Sequence, residues 1–473
     1  MSASSFSDHR FGYGPRGSGS AALTDQLNRY DPRPALIAAL APKSEVATEL
    51  ANYRAQTREM RAEMKGSRDP AQAKEQQQAA RKMVARAGRD HYATAVEARF
   101  ATAVASEAPF VERLVHFWAN HFAVSADKLG VTGFAGLLEM EAIRPHVLGR
   151  FEDMLIAVEQ HPAMLLYLDQ AQSIGPDSPI GARIALRGLR KVGLNENLAR
   201  EILELHTLGV RTGGARTGYS QTDVTEFARA LTGWTVAGLA AGPTARAMSD
   251  GGSPGEFAFA PPVHQPGNRT IMGKTYAQPG LAQGLAILSD LARNTSTARH
   301  VATKLARHFE GDEPSAALIS RLEGTFLTSE GNLKAVYTVL AEAPEIQAAK
   351  QAKFKTPWDW LVSSHRALDL GAGTSGRLVQ VFTQLGQPVW RPGSPAGYDD
   401  VAASWAGPDA LFRRAEVAEQ ITRRVAANAD PRALAERVLA GRLTPATAQA
   451  IARAESPMQG AALMLVSPEF LRR

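Results

Sequence analysis

The residues best suited to chemistry lie in one short segment, 195–206, with the sequence NENLAREILELH. Its apolar spacing predicts a helix, although it carries three carboxylates, two amides and a histidine. Glu201 falls on the leucine-rich face, which we expect to be buried. A buried carboxylate is costly unless a metal ion, a cation or several donors pair with it. The segment therefore predicts either a functional site or a buried ion pair, with Arg113 or Arg229 as the partner.

A second polar helix is predicted to begin at Pro109, a residue that suits the first position of a helix. Its apolar side chains surround His121, whereas Arg113, His116 and Asn120 form a stripe along one flank. His121 is interpreted either as a site residue or as a core histidine that hydrogen-bonds a neighbour. His116 and Asn120 are four residues apart, which fits a shared site or a surface pair equally well.

A third helix is predicted after Ser220, with Gly233 as its stop before a long loop. Asp223 shares a face with the apolar Phe227, so it is a further site candidate. The structural alternative is a helix cap, because Ser220 and Asp223 match the Ser-x-x-Asp pattern and the helix dipole favours an acid in the first turn.

If the three faces meet, acids and imidazoles converge in the interior, which is how helical bundles build metal sites. The candidate catalytic residues are Glu201, Asp223, His121 and His116. The candidate ligands for a divalent zinc, iron or manganese ion are His121, Glu201, Glu204, His206 and Asp223. The sequence has no HExxH and no paired Glu-x-x-His motif, so a metal-free acid–base centre fits as well.

The elements that would position these residues are helical throughout, and we predict one large all-α domain over 1–473. Its parts are N-terminal helices with a charged hairpin (1–105), the three polar helices (106–235), a long Gly/Pro-rich loop (236–280) and a C-terminal helical part (281–473). The hairpin is interpreted as two solvated helices with a break at 66–70. A loop as long as 236–280 is commonly functional.

Composition excludes several classes of function. The chain of 473 residues has no cysteine, which rules out disulfides, thiolate metal sites and cysteine nucleophiles. The net charge of +6 is scattered rather than clustered, so no nucleic-acid partner is expected. The first residues lack the apolar region of a secretory signal, and no run reaches the roughly 18 apolar residues of a membrane span. We therefore expect a cytoplasmic protein without a membrane span, with export beside a partner left open.

Several stretches of the chain resemble a large bacterial family catalogued as domain of unknown function 1800. The longer matching runs are RLVHFWANHF (113–122), MLLYLDQAQS (164–173), ENLAREILELHTLG (196–209), GYSQTDV (218–224) and ALTGW (230–234). Shorter pieces are His264, GK (273–274), KLA (304–306), LGQP (385–388) and SPEF (467–470). The resemblance covers nearly the whole chain.

The resemblance implies a domain extent but no reaction. It adds the loop residue His264 to the candidates, and the family usually follows that histidine with aspartate, where this chain has Gln265. If that aspartate is a ligand or a base in relatives, its role does not carry over to Gln265 in this chain. Family members are often encoded beside a second family that looks like sulfatases and alkaline phosphatases, which implies a partner of that type.

Three functions are weighed for the polar centre. The first is a hydrolase in which Glu201 and Asp223 bind a metal or act as base. Its expected substrate-binding residues are His264, Lys274, Arg113 and Asn120, with the first two closing over an anionic substrate from the long loop. The second is a non-catalytic helical adaptor or maturation partner of a sulfatase/phosphatase-like protein, which docks through the charged hairpin. The third is an oxidoreductase that holds haem or non-haem iron through His121 or His116.

Overall fold

The computed structural model describes residues 3–15, 21–64, 70–186, 193–210, 218–240, 242, 244, 252–348, 353–371, 377–424 and 429–473. The described part is mainly α-helical and also holds two small two-stranded sheets. The predicted all-α class is therefore confirmed. None of the described helices is both long enough and apolar enough to cross a membrane.

The helices are numbered here in chain order. Those of the first half are α1 (Ala3–Arg10), α2 (Leu23–Arg29), α3 (Ala35–Ala38), α4 (Lys43–Met64), α5 (Pro70–Ala105), α6 (Pro109–His121), α7 (Ala135–Leu137), α8 (Phe151–Glu159), α9 (Pro162–Tyr167), α10 (Pro179–Leu186), α11 (Asn197–Glu201) and α12 (Gln221–Leu231). Those of the second half are α13 (Leu281–Ala292), α14 (Thr295–Phe309), α15 (Ala316–Thr328), α16 (Leu333–Glu342), α17 (Pro344–Ala348), α18 (Pro357–Ala367), α19 (Leu378–Gln384), α20 (Pro408–Thr422), α21 (Pro431–Val438), α22 (Pro445–Ala452) and α23 (Pro457–Leu465).

Helix starts follow the predicted capping chemistry. Pro109 is at the start of α6, and the Asn294 side chain accepts from the Ser296 backbone N–H at 2.8 Å to cap α14. Ser220 and Asp223 form a complete capping box on α12. The two long helices α4 and α5 correspond to the predicted charged hairpin, whose break lies outside the described residues.

The predicted long Gly/Pro-rich loop 236–280 is not confirmed, because its described part holds strands of two antiparallel pairs. Strand β1 (Trp234–Val236) pairs antiparallel with β2 (Phe257–Phe259), and β3 (Arg269–Ile271) pairs antiparallel with β4 (Lys274–Tyr276). Three-residue strands are too short to show the alternation that identifies a strand in a sequence. A 3₁₀ turn, Pro261–Val263, lies between the two strand pairs along the chain.

The helix predicted across the segment 195–206 changes its winding at Glu201. There α11 gives way to a π-helical segment, Ile202–His206. A π turn takes more residues than an α turn, so the side chains beyond it are rotated away from the face that α-helical spacing predicts. His206 is consequently buried, whereas Glu201 and Leu205 remain partly exposed. The expectation that Glu201 lies on the buried face is corrected by this change in winding.

The hydrophobic core is centred on α6, most of whose side chains are buried. Trp118 and Tyr337 are fully buried in it, and Trp118 Nε1 donates a hydrogen bond to the Tyr337 hydroxyl at 2.5 Å. Because α6 is almost surrounded, the polar residues on its flank must be paired internally or must face a cavity.

Candidate active site

A pocket of about 270 Å³ opens between α6, α14, the start of α18 and residues 387–401. Its walls include Arg113, His116 and Asn120, the polar stripe predicted along one flank of α6. Aromatic side chains, among them Trp358 and Trp390, form part of the remaining wall. The pocket thus combines an aromatic and aliphatic surface with many polar and charged side chains.

Lys304 on α14 supplies an amine to this pocket. No hydrogen bond or ion pair joins its Nζ to any residue in the described ranges. Burial lowers the pKa of Lys304 to about 8, although the charge of Asp400 opposes the shift. A measurable fraction of the amine is therefore neutral at physiological pH and is able to accept a proton.

His308 lies one helical turn beyond Lys304 and forms a dyad with Asp400. Its Nδ1 donates to Asp400 Oδ2 at 2.8 Å, and Arg473 Nη2 lies 3.4 Å from its Nε2. Burial lowers the pKa of His308 to about 4, so the imidazole is neutral. Burial alone would raise the pKa of Asp400, but His308 and Lys353 hold it below its ordinary value.

Arg113 contributes a buried ion pair to the pocket wall. Its Nη1 donates to Asp359 Oδ2 at 2.8 Å, and its Nε donates to the carbonyls of Phe11 and Gly12. Burial would raise the pKa of Asp359, but the charges of Arg113 and Arg473 lower it. The predicted pairing of Arg113 with Glu201 is wrong, because this guanidinium is fully engaged elsewhere.

His116 is held in one tautomer by its neighbours. Trp358 Nε1 lies 3.0 Å from His116 Nδ1 and can only donate, so Nδ1 accepts and Nε2 carries the hydrogen. The Tyr13 hydroxyl contacts the same Nδ1, and Nε2 lies 3.8 Å from Glu139 Oε1. Burial and the nearby Arg99 lower the pKa of His116 well below its usual value, so the ring is neutral.

Asn120 fixes the segment that closes the pocket. Its Nδ2 donates to the Tyr398 carbonyl at 2.8 Å, and its Oδ1 accepts from the Tyr398 N–H at 2.7 Å. The side-chain amide therefore pairs with both backbone groups of Tyr398, as a neighbouring β-strand would. This use of both polar ends gives Asn120 a structural role in the pocket wall beside its predicted substrate contact.

Several pocket residues were missed by the sequence reasoning, although one signal was present. His300, Lys304 and His308 recur every fourth residue, which places them on one face of α14. His300, Lys304 and His308 are each only partly exposed, so this face is turned largely inward. Asp359, Asp400 and Trp358 had no comparable signal, because they reach the pocket from distant parts of the chain.

His121 belongs to a separate buried cluster of imidazoles. Its ring centroid lies 6.2 Å from that of His206 and 5.9 Å from that of His300. His121 Nε2 donates to the His206 carbonyl at 3.1 Å, and His206 Nδ1 donates to Glu159 Oε1 at 2.7 Å. Burial, and then the charge of Lys304, lower the pKa of His121 well below its usual value. The arrangement matches the alternative of core histidines that hydrogen-bond their neighbours.

Glu201 and Glu204 lie beside this cluster rather than in it. Burial raises the pKa of Glu201 above its ordinary value. Glu204 Oε1 lies 3.6 Å from Arg200 Nη1 in an ordinary i,i+4 pair. Arg229, the second predicted partner of Glu201, instead pairs with Glu226. Among the residues that the structure describes, no hydrogen bond or ion pair joins Glu201 to Asp223.

Asp223 is committed to holding the backbone. Its Oδ2 accepts from the Ser220 N–H at 2.6 Å, and its Oδ1 accepts from the Met272 N–H at 2.7 Å in the turn between β3 and β4. Burial would raise the pKa of Asp223, but these hydrogen bonds lower it. Both oxygens therefore serve the cap and the hairpin.

The predicted loop residues lie away from the pocket wall. His264 Nδ1 donates to the Thr232 carbonyl at 2.8 Å, and Lys274 pairs with Asp290 on α13. Gln265 is buried, accepts from the Asp177 N–H at 3.0 Å and donates to Asp177 Oδ2 at 2.7 Å. Its amide can donate to this carboxylate, which an aspartate at the same position could do only when protonated.

The predicted metal ligands are not gathered around one point. Within the described ranges, the group of three or more His, Asp or Glu whose ligand atoms all lie within 4.8 Å consists of Glu45, Glu49 and His91. His121, Glu201, Glu204, His206 and Asp223 form no such group there. Their assignment as ligands and the hydrolytic roles of Glu201 and Asp223 stay predictions.

A family-wide sequence comparison supplies the context for this site. The profile described as "Protein of unknown function (DUF1800)" matches residues 8–472. The chain belongs to the DUF1800 family. It matches no curated protein and no solved structure. For this DUF1800 chain, function must therefore be argued from the pocket itself, all of whose described wall lies inside the matched range.

Proposed function

We propose that this chain is a hydrolase whose active site is the pocket between α6 and α14. The observation that carries the proposal is Lys304, which lines the pocket, has no hydrogen bond or ion pair to its amine among the described residues, and has a pKa of about 8. An amine with such a pKa is suited to take a proton from an attacking water molecule near neutral pH. Perturbed titratable groups in a cleft are typical of active sites.

The remaining groups support binding of a small anionic substrate. Arg307 also lines the pocket, and in the described part of the chain it has no ion pair. Arg99 is paired with Glu139, and Arg113 is paired with Asp359, so these two arginines contribute little free charge. Within the described ranges, Lys304 and Arg307 are thus the cations of the wall without an ion pair, beside the carboxylates of Asp359 and Asp400, which are paired, and of Asp399. When Lys304 is neutral, Arg307 is the cation available to attract an anion.

The neutral imidazoles have supporting roles in this proposal. His308, oriented by Asp400, lies one turn from Lys304 on α14. His116 keeps a hydrogen on Nε2 and borders the same pocket. Neither ring needs a metal ion for these roles, and both stay uncharged across the neutral range because burial depresses their pKa values.

The experiment that tests the proposal compares Lys304→Met with the wild-type chain on chromogenic anionic esters. Nitrophenyl phosphate, sulfate and hemisuccinate are the probes, and Lys82→Met, at an exposed position of α5, is the matched control. We expect the Lys304 variant to lose about 10²–10⁴-fold in kcat/KM. The wild-type rate should rise as pH increases through about 8, because the neutral amine is the active form.

A second readout is independent of the substrate. Trinitrobenzenesulfonate labels neutral amines, so Lys304 should react near pH 8 at a rate above that of exposed lysines such as Lys82. Equal labelling rates would refute the assigned amine chemistry. Turnover of none of the three ester classes, or undiminished turnover by Lys304→Met, would remove the hydrolase assignment.

The adaptor and iron-oxidoreductase alternatives stay predictions. The adaptor reading draws support from Asp223, whose carboxylate oxygens both accept internal hydrogen bonds. A pull-down that recovers a sulfatase/phosphatase-like protein in a stoichiometric ratio would favour it. An absorbance spectrum of purified protein tests for haem.

A further inference from the structure

Two glutamates and a histidine, none of which lines the active-site pocket, converge where α4 and α5 pack against each other. Glu45 and Glu49 are one turn apart on α4, and His91 reaches them from α5. Their ligand atoms all lie within 4.8 Å of one another, and His91 Nε2 is 3.0 Å from Glu49 Oε2. We propose that these three side chains bind one divalent transition-metal ion.

The charge of the cluster favours a cation. Neither Glu45 nor Glu49 has a lysine or arginine within 4.0 Å in the part of the chain that the structure describes. The nearby Lys43 is engaged by Glu256 at 3.1 Å and by Glu141 at 3.8 Å. Two carboxylates with a neutral imidazole carry a formal charge of −2, which a divalent ion balances.

The distances are close to those of a coordination shell. Zinc lies about 2.0–2.2 Å from nitrogen and oxygen ligands, so two ligands of a tetrahedral site are roughly 3.4 Å apart. The His91–Glu49 separation is already near this value, and rotation of the exposed Glu45 side chain can close the rest. An imidazole with two carboxylates suits zinc or manganese, whereas calcium takes six to eight oxygen ligands.

A cavity beside the cluster leaves room for the ligand that would complete four-fold coordination. Glu49 and His91 line a pocket of about 300 Å³, together with Asp90. Three protein ligands and an open position are the pattern of exchangeable or catalytic zinc sites.

The test is calorimetric titration of ZnCl₂ into the untagged, EDTA-treated full chain. We expect one saturable site per chain, and weakening of at least about tenfold in both Glu49→Gln and His91→Gln. Glu45→Gln, at an exposed position, provides a variant that should fold normally and still bind more weakly. His146→Gln, a partly buried histidine outside the cluster, is the control and should bind as the wild type does.

Two outcomes would overturn the proposal. One is no saturable Zn²⁺ binding by the wild-type chain, and the other is unchanged affinity in His91→Gln. Circular dichroism of each variant checks that lost binding is not lost folding. Since none of the three residues lines the pocket of Lys304, failure here leaves the hydrolase proposal untouched, and failure of the ester assay leaves this one untouched.

Discussion

Two regions of the molecule have polar residues on otherwise apolar helices. In one region these residues are paired within the fold, and in the other one of them is left unpaired, within the described chain, beside a cavity. Around α11 and α12, Asp223 and Glu226 are bound by backbone groups or by neighbouring arginines. Around α6 and α14, Lys304 retains an amine without a partner among the described residues, and it faces a cavity. An unpaired polar group that also lines a cavity, such as the Lys304 amine, therefore separates the candidate site from residues such as Asp223, whose carboxylate the fold already engages.

Arg113→Met should produce the largest loss of stability. It tests whether an ion pair in the pocket wall also stabilises the hydrophobic core. Removing the guanidinium leaves Asp359 buried without its main partner, which costs about 3–5 kcal/mol of unfolding free energy. Urea unfolding followed by tryptophan fluorescence measures it. The matched control is Arg229→Met, whose partly exposed i,i+3 pair with Glu226 should be worth under ~1 kcal/mol. Equal losses of unfolding free energy in the two variants would show that the ion pair in the pocket wall stabilises the protein no more than the one on α12 does.

Glu159→Met tests the buried imidazole cluster that lies between the two regions. The substitution leaves the His206 Nδ1 hydrogen without its acceptor, so we expect a loss of about 1–3 kcal/mol in unfolding free energy. Ester hydrolysis by the folded variant should stay within about twofold of the wild type, since Glu159 does not line the pocket. A large fall in kcat without loss of stability would instead give the cluster a part in the chemistry.

Asp223→Ala sharpens the assignment of the α12 region as structural. It removes the cap of α12 and the acceptor for the Met272 N–H, so stability should fall by about 0.5–2 kcal/mol. Thermal unfolding and ester hydrolysis are measured on the same sample. Hydrolysis abolished at a temperature where the variant is folded would restore Asp223 as a catalytic candidate.

Glu201→Gln should have the smallest effect, within about 0.5 kcal/mol at neutral pH. Burial raises the pKa of Glu201, so its contribution to stability is present at low pH and is lost as pH rises through the folded-state pKa. The glutamine variant does not ionise at this position. Its free energy of unfolding, measured with urea, should therefore increase relative to that of the wild type between pH 4 and pH 8. A variant that loses stability over that interval would show that the ionised carboxylate has a favourable partner.

Much of the local structure could be predicted from the sequence. The arrangement of the candidate site residues could be predicted only in part. Capping at Asn294 and Ser220, the two helices of the charged hairpin and the flank stripe of α6 all follow from short-range rules. The position of Glu201 did not, because the π segment that follows it changes the angular spacing in a way that composition does not reveal.

The partners that complete the pocket could not be predicted for a different reason. Asp359 joins Arg113 across 246 positions of sequence, and Asp400 joins His308 across 92. Periodicity reports which face of a helix is polar, but it carries no information about which distant residue that face will meet. The sequence does show the recurrence of His300, Lys304 and His308 every fourth residue. That recurrence alone does not reveal that this face of α14 meets α6, because it carries no information about the order in which the helices pack.

The pairing of Asn120 with the backbone of Tyr398 has a consequence for biosynthesis. The two residues are separated by 278 positions, so the wall that they share cannot form until most of the polypeptide has left the ribosome. A nascent chain would expose Lys304 and the surrounding arginines to solvent, with ordinary amine basicity, throughout that interval. The chemistry proposed for this amine therefore requires a chain long enough to include Tyr398 and the pocket wall that it completes.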